Sequence, residues 1–83
     1  MATVTFTPAA WDETDRLPRK MRVRMLALVE RLEKWPNVSG AKPLRGSLQG
    51  NWRIRTGDYR VIFRVAGATV SVWKIGYRGD IYD

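Results

Sequence analysis

The strongest constraint on this chain is a change in the period of its apolar residues near Trp52. Upstream, Met21, Met25, Leu28, Leu32 and Trp35 recur every three or four residues, with Leu26 and Val29 beside them. That spacing is one face of an amphipathic helix. Downstream the period falls to two. Trp52 and Ile54 alternate with Arg53 and Arg55, while Tyr59, Val61, Phe63 and Val65 alternate with Arg60, Ile62 and Arg64. A period of two belongs to a half-buried strand. Thr56-Gly57-Asp58 and Ala66-Gly67-Ala68 supply turns, and Thr69 to Tyr77 is a third β-prone run. Three such runs joined by short glycine turns predict an antiparallel meander.

The remaining segments complete the order. Val4-Thr5-Phe6 is a short strand, and Thr7-Pro8 reads as an N-cap followed by proline at the first helical position. The first helix is predicted from Pro8 to about Arg16, with Asp12 and Glu13 near its start. Leu17-Pro18 breaks it, a second helix begins at Pro18, and Trp35-Pro36-Asn37 ends that one. Residues 37–50 are rich in turn formers and read as a loop carrying Lys42 and Arg45. Ile81-Tyr82 is predicted as a last short strand. The expected architecture is a single α+β domain over residues 1–83, ordered β-α-α-β-β-β, with two N-terminal helices packed on a mainly antiparallel twisted sheet. Trp52, Tyr59, Phe63 and Trp73 are expected in its core, and Trp11 on a helix face.

Composition then narrows the chemistry. Fifteen Lys and Arg face eight Asp and Glu, a net charge of +7, and eleven of the fifteen bases are arginine. The excess is uneven: residues 1–41 carry a net +2 and residues 42–83 a net +5. Such an excess favours a polyanion or an acidic partner. The preference for arginine points the same way, because its planar fork pairs with phosphate in two-pronged geometry and stacks on bases. Without histidine or cysteine there is no Ser-His-Asp triad, Cys-His pair or His/Cys metal cluster. The acids are scattered, unlike a paired-carboxylate metal site, and no cofactor or metal is expected. No apolar run nears the roughly 20 residues of a membrane span, and the N-terminus lacks a secretory pattern. A cytoplasmic location is therefore the expectation.

Alternation makes a geometric prediction. If Trp52, Ile54, Tyr59, Val61, Phe63 and Val65 face the helices, Arg53, Arg55, Arg60 and Arg64 share the opposite, solvent face. The turn at Gly57 would make Arg53 and Arg55 near cross-strand neighbours of Arg60. Like charges so placed cost stability unless an anion offsets them. Asp58 is the only acid between Trp52 and Arg64. Such a face suits a phosphodiester, with the cations holding phosphate and its developing charge. A merely solvated basic face is the alternative.

The stretch Lys42-Pro-Leu-Arg-Gly-Ser-Leu-Gln-Gly-Asn-Trp-Arg-Ile-Arg-Thr-Gly-Asp-Tyr-Arg-Val-Ile-Phe-Arg-Val, with Lys74-Ile-Gly-Tyr-Arg-Gly-Asp-Ile-Tyr82 downstream, closely resembles the RelE/ParE toxins of bacterial and archaeal toxin–antitoxin systems. The resemblance covers nearly the whole chain and implies a microbial-ribonuclease-like fold. It also implies a ribosome-dependent endoribonuclease that cuts mRNA in the ribosomal A site, by attack of the 2′-hydroxyl on its adjacent phosphate. The implied partner is an acidic antitoxin that forms a hetero-oligomer with the toxin and blocks the basic site.

Carried over position by position, the resemblance assigns phosphate stabilisation to Arg53, Arg55 and Arg60. It gives Arg78 assistance to the leaving 5′-oxygen, and Tyr82 the orientation or deprotonation of the 2′-hydroxyl. Lys42, Arg45, Arg64 and Lys74 would support RNA binding. Arg53 and Arg55 stand where RelE itself uses lysines, and Tyr77 stands where many relatives have histidine. Arginine keeps its proton to above about pH 12 and is a poor general base. The resemblance also leaves open a ParE-type toxin acting on DNA gyrase, or an inactive module that binds nucleic acid or antitoxin. Presence of both Arg78 and Tyr82 favours the nuclease branch.

Overall fold

A computed structural model describes residues 1–77; Arg78 and the strand expected at Ile81-Tyr82 lie outside the described residues. Strand β1 (Thr3–Phe6) leads into helices α1 (Pro8–Asp15) and α2 (Arg19–Leu32). A two-residue strand β2 (Lys42–Pro43) and a 3-10 turn (Gly46–Leu48) follow, then β3 (Asn51–Thr56), β4 (Tyr59–Ala66) and β5 (Thr69–Tyr77). The five strands form one sheet in the order β1-β5-β4-β3-β2. β1 runs parallel to β5 and every other neighbouring pair is antiparallel.

The helices start and stop where local chemistry directs. Thr7 has extended backbone at the α1 N-cap, and its Oγ1 accepts a hydrogen bond from the Ala10 N–H at 3.2 Å. On α2, Met25, Leu28 and Leu32 are buried and Met21 is half-buried, as the stripe predicts, whereas Val23 and Leu26 point to solvent. The stripe meets Ile54, Val61, Phe63, Val70, Val72 and Ile75 of the sheet in the main core. Trp35 extends it, packing edge-on against Trp52 at 4.8 Å and Phe63 at 5.4 Å between ring centroids. Trp11, expected to pack on a helix face, is mostly exposed and touches Phe6 edge-on at 6.0 Å.

Both hairpins close through two-residue loops, Gly57-Asp58 and Gly67-Ala68, each with glycine first at φ near +60°. No other described residue type adopts positive φ, so glycine is what lets these turns match the twist of their strands. An alanine at position 57 would carry its Cβ at φ +60° against Met21 and Arg24 of α2. Gly57→Ala is expected to lower unfolding free energy by about 1–2 kcal/mol, read by urea denaturation. An unchanged midpoint would contradict this account of the turn.

Three expectations are corrected. Residues 37–50 are not wholly loop, because Lys42 and Pro43 pair with Arg53 and Trp52. The face opposite the helices is not simply solvent. Ile62 is fully buried there, covered by Leu44, Leu48 and Trp73, and Arg53 and Arg60 are each only 9% exposed. Leu44 and Leu48 bring the segment 43–50 over Ile62, and the Leu44 N–H is bonded to the Asn51 carbonyl at 2.9 Å. Finally, Trp73 belongs to this second cluster and not to the core beneath the helices. Phe63 pairs with Val72 but Ile62 with Lys74, so Trp73 is the extra residue of a β-bulge. The bulge shifts the alternation by one position, which lets Val70, Val72 and Ile75 all reach the helix side.

Candidate functional site

The β3–β4 hairpin builds the centre of the basic face. Arg55 pairs directly with Arg60 across it, and Arg53 pairs with Ile62 on one side and Lys42 on the other. Directly opposed residues have Cβ atoms roughly 4.5–5.5 Å apart, and like charges in that relation repel. Arg53 lies two residues from Arg55 along the strand, about 7 Å. Gly76 is the β5 partner of Arg60 and offers no side chain there. Arg55 is exposed, while Arg53 and Arg60 are buried and each is engaged by other groups of the chain. A buried guanidinium has little rotational freedom and sits in a medium that strengthens its field, the condition for a preorganised anion site.

Two adjoining clefts share Arg55. One, of about 290 Å³, is lined by Arg55, Gly57, Asp58, Tyr59 and Arg60. The other, of about 260 Å³, is lined by Arg31, Gly40, Lys42, Arg53, Ile54 and Arg55. Arg53, Arg55, Arg60 and Lys42 are thus brought together. The other supporting residues are not. Arg45 is exposed and borders a separate groove with Pro43, Leu44 and Asn51. Arg64, four residues along β4 from Arg60 and so roughly 13 Å away, borders a third with Thr7, Ser71 and Trp73. Lys74 lines a fourth with Glu13, Arg16 and Tyr77. Arg78 and Tyr82 lie outside the described residues.

Residues 4–82 match the family described as ParE toxin of type II toxin-antitoxin system, parDE. The chain belongs to the RelE/ParE superfamily of type II toxin–antitoxin toxins. Toxin RelG of Mycobacterium tuberculosis (strain ATCC 25618 / H37Rv) is 35% identical over 86 residues, which is 96% of this chain and 94% of RelG. A chain of the toxin–antitoxin complex RelBE2 from the same species superposes with a TM-score of 0.81 at 26% identity, covering 93% of this chain and 98% of that chain. The archaeal RelE–RelB complex from Pyrococcus horikoshii OT3 gives a TM-score of 0.77 at 25% identity, covering 96% and 98%.

On this RelE/ParE scaffold the structure adds residues that alternation did not single out. Asn51 is 2% exposed; it accepts the Trp73 Nε1–H at 2.8 Å on Oδ1 and donates from Nδ2 to the Leu48 carbonyl at 3.0 Å. It therefore ties the covering turn to the sheet beneath the basic face. The bulge at Trp73 had a trace in sequence, since the alternation of Val70 and Val72 resumes out of phase at Ile75. Arg31 had none: it sits on the polar side of α2, 22 residues before Arg53. Among the described residues no group of His, Cys, Asp or Glu is arranged to hold a metal. No described helix is long and apolar enough to cross a membrane.

Proposed function

We propose that this toxin is a metal-independent endoribonuclease that cleaves mRNA in the ribosomal A site, acts in the cytoplasm, and is held inactive by an acidic antitoxin in a hetero-oligomer. The observation that carries the reading is the direct pairing of Arg55 with Arg60, with Arg53 two residues along and Lys42 beside it. Cations at this spacing suit one phosphodiester, whose negative charge grows as it becomes five-coordinate. In the proposed step the 2′-oxygen attacks the adjacent phosphorus, the bond to the 5′-oxygen breaks, and a 2′,3′-cyclic phosphate remains. The 2′-hydroxyl proton passes to a base, and the 5′-oxygen receives one in turn.

Arg53, Arg55 and Arg60 take the phosphate charge in this reading. Arg78 assists the leaving oxygen and Tyr82 orients or deprotonates the 2′-hydroxyl, both by the family pattern. Asp58 lines the cleft of Arg55 and Arg60 and is a second candidate acceptor of the proton. Arg45, Arg64 and Lys74, being spread around the sheet, would contact RNA away from the scissile bond.

The matched family description, a ParE toxin, favours a second reading in which the chain acts on DNA gyrase and cuts no RNA. Primer extension on translated mRNA after induction separates the two. Discrete breaks within A-site codons are the expected result; intact mRNA with DNA damage would establish the gyrase reading instead. Co-expression with the acidic product of a neighbouring open reading frame should abolish the breaks.

A further inference from the structure

One groove on the outer face of the sheet joins a fixed aromatic ring to an exposed guanidinium. Its volume is about 410 Å³, and among the described residues Thr7, Arg64, Ser71 and Trp73 line it. Strand pairing builds it. Asn51 of β3, Arg64 of β4, Ser71 of β5 and Thr5 of β1 are successive cross-strand partners, so they form one row across that face. Trp73 follows two residues after Ser71 on β5. Part of its indole packs with Leu48 on the Leu44–Ile62 cluster, and the rest borders the groove. The ring is held in place. Its Nε1–H donates to Asn51 Oδ1 at 2.8 Å, and Asn51 is itself buried and donates to the Leu48 carbonyl. Beside it the Thr5 hydroxyl donates to Ser71 Oγ at 3.3 Å. A hydroxyl that accepts one bond keeps its own proton to donate. Arg64 stands exposed at the rim.

We infer that this groove is a nucleobase subsite for single-stranded RNA, in which Trp73 stacks one base and Arg64 holds an adjoining phosphate. An indole pinned by Asn51 has little freedom left to lose on stacking, and every base offers it a π face. Arg64 supplies a two-pronged donor for the phosphate, and Ser71 a hydroxyl donor for a sugar or base oxygen. The place of the groove on the sheet selects RNA as its occupant. Arg64 and Arg60 share one face of β4 and lie roughly 13 Å apart, so a strand held between Arg55 and Arg60 reaches it. Even a fully stacked strand, rising about 3.4 Å per phosphate, covers that distance within about four nucleotides. Trp73 is a positioning residue here, because it holds a base away from the reacting atoms. The inference rests on the RNA-binding reading above and adds to it a contact with the bases, where the basic hairpin offers contacts to phosphate.

The test is binding of a 2′-O-methyl RNA octamer, which cannot be cleaved, and of the same octamer without its bases, read by fluorescence anisotropy over a range of salt. Trp73→Leu keeps apolar cover over Ile62 but removes the ring, whereas Trp73→Phe keeps a ring; both lose the N–H that Asn51 accepts, so their difference isolates stacking. Trp73→Leu should weaken the base-bearing octamer by about ten-fold, the usual share of one stacked base. Trp73→Phe should weaken it by less than about three-fold, and neither should shift the base-free strand by more than about two-fold. The slope of log K against log salt should stay unchanged in both. Arg64→Gln, at an exposed position that does not threaten the fold, should weaken both octamers and make the slope shallower by about 0.7, the share of one phosphate on a single strand. Equal losses of Trp73→Leu on the two octamers, equal losses in Trp73→Leu and Trp73→Phe, or an unaltered slope in Arg64→Gln would each overturn the subsite and leave the RNA reading intact. Weakened binding of the co-expressed antitoxin by Trp73→Leu, with RNA binding untouched, would overturn it in favour of a protein contact. Failure of the wild type to bind either octamer would remove the RNA reading, and the subsite with it.

Discussion

Arg60→Gln is expected to lower the single-turnover rate of mRNA cleavage by roughly 10²–10³-fold, the usual cost of deleting one preorganised donor to a developing negative charge. Arg60 is placed for this by strand pairing, not by its own flexibility. It is 9% exposed, opposite Arg55 on one side and the bare Gly76 on the other. The fold should survive, because the core beneath β4 is filled by Val61 and Phe63 and glutamine keeps a hydrogen-bonding side chain at the position. A melting temperature within about 5 °C of wild type is expected, corresponding to about 1 kcal/mol in a domain of this size. Arg60→Lys keeps the charge without the two-pronged geometry and should fall between. The measurements are cleavage on ribosomes programmed with a defined A-site codon, growth arrest on induction, and a thermal melt. Full cleavage by a folded Arg60→Gln variant would end the assignment of Arg60 to the phosphate.

The largest effect on stability is expected from Phe63→Ala. Phe63 is fully buried at the middle of β4, paired with Trp52 and Val72 on the flanking strands and packed edge-on by Trp35. Removing a ring from such a site costs about 3–5 kcal/mol, part of it for the cavity left behind. The lost edge-to-face contact lies within that range. Small domains have about 5–15 kcal/mol in total, so the variant should melt on the order of 20 °C lower and lose activity through unfolding. Ile62, one residue along and also fully buried, faces the second cluster; Ile62→Val should cost only about 0.5–1.5 kcal/mol. The comparison distinguishes the large core under the helices from the small one under the basic face. Equal melts for Phe63→Ala and wild type would contradict the packing described.

Much of this architecture is legible in the order of the residues. The α2 stripe, the Thr7-Pro8 start, the two glycine turns and the alternation through β3 and β4 are local patterns, and each folds as its period requires. Arg53, Arg55 and Arg60 follow from that alternation together with the Gly57 turn. The burial of Arg53 and Arg60 does not. Nor does the cover over Ile62, which Leu44 and Leu48 supply from a segment whose packing on the sheet no local pattern announces. Trp73 lies on the outer face by plain alternation from Val70 and Val72, and the extra residue in β5 inverts the positions after it, which returns Ile75 to the core.

Sequence alone therefore determined β1, the two helices and the β3–β5 meander, the side of the sheet that each β3 and β4 residue faces, and the excess of arginine on one of those sides. These depend on backbone periodicity and turn chemistry, which act over a few residues. Tertiary structure decided which cations meet. It brought Arg31 of α2 to Lys42, Arg53 and Arg55, and left Arg45, Arg64 and Lys74 at separate grooves. It also made the basic face a half-covered surface instead of an open one. Those outcomes depend on how distant segments pack to bury apolar area, and that balance is settled by the whole chain at once.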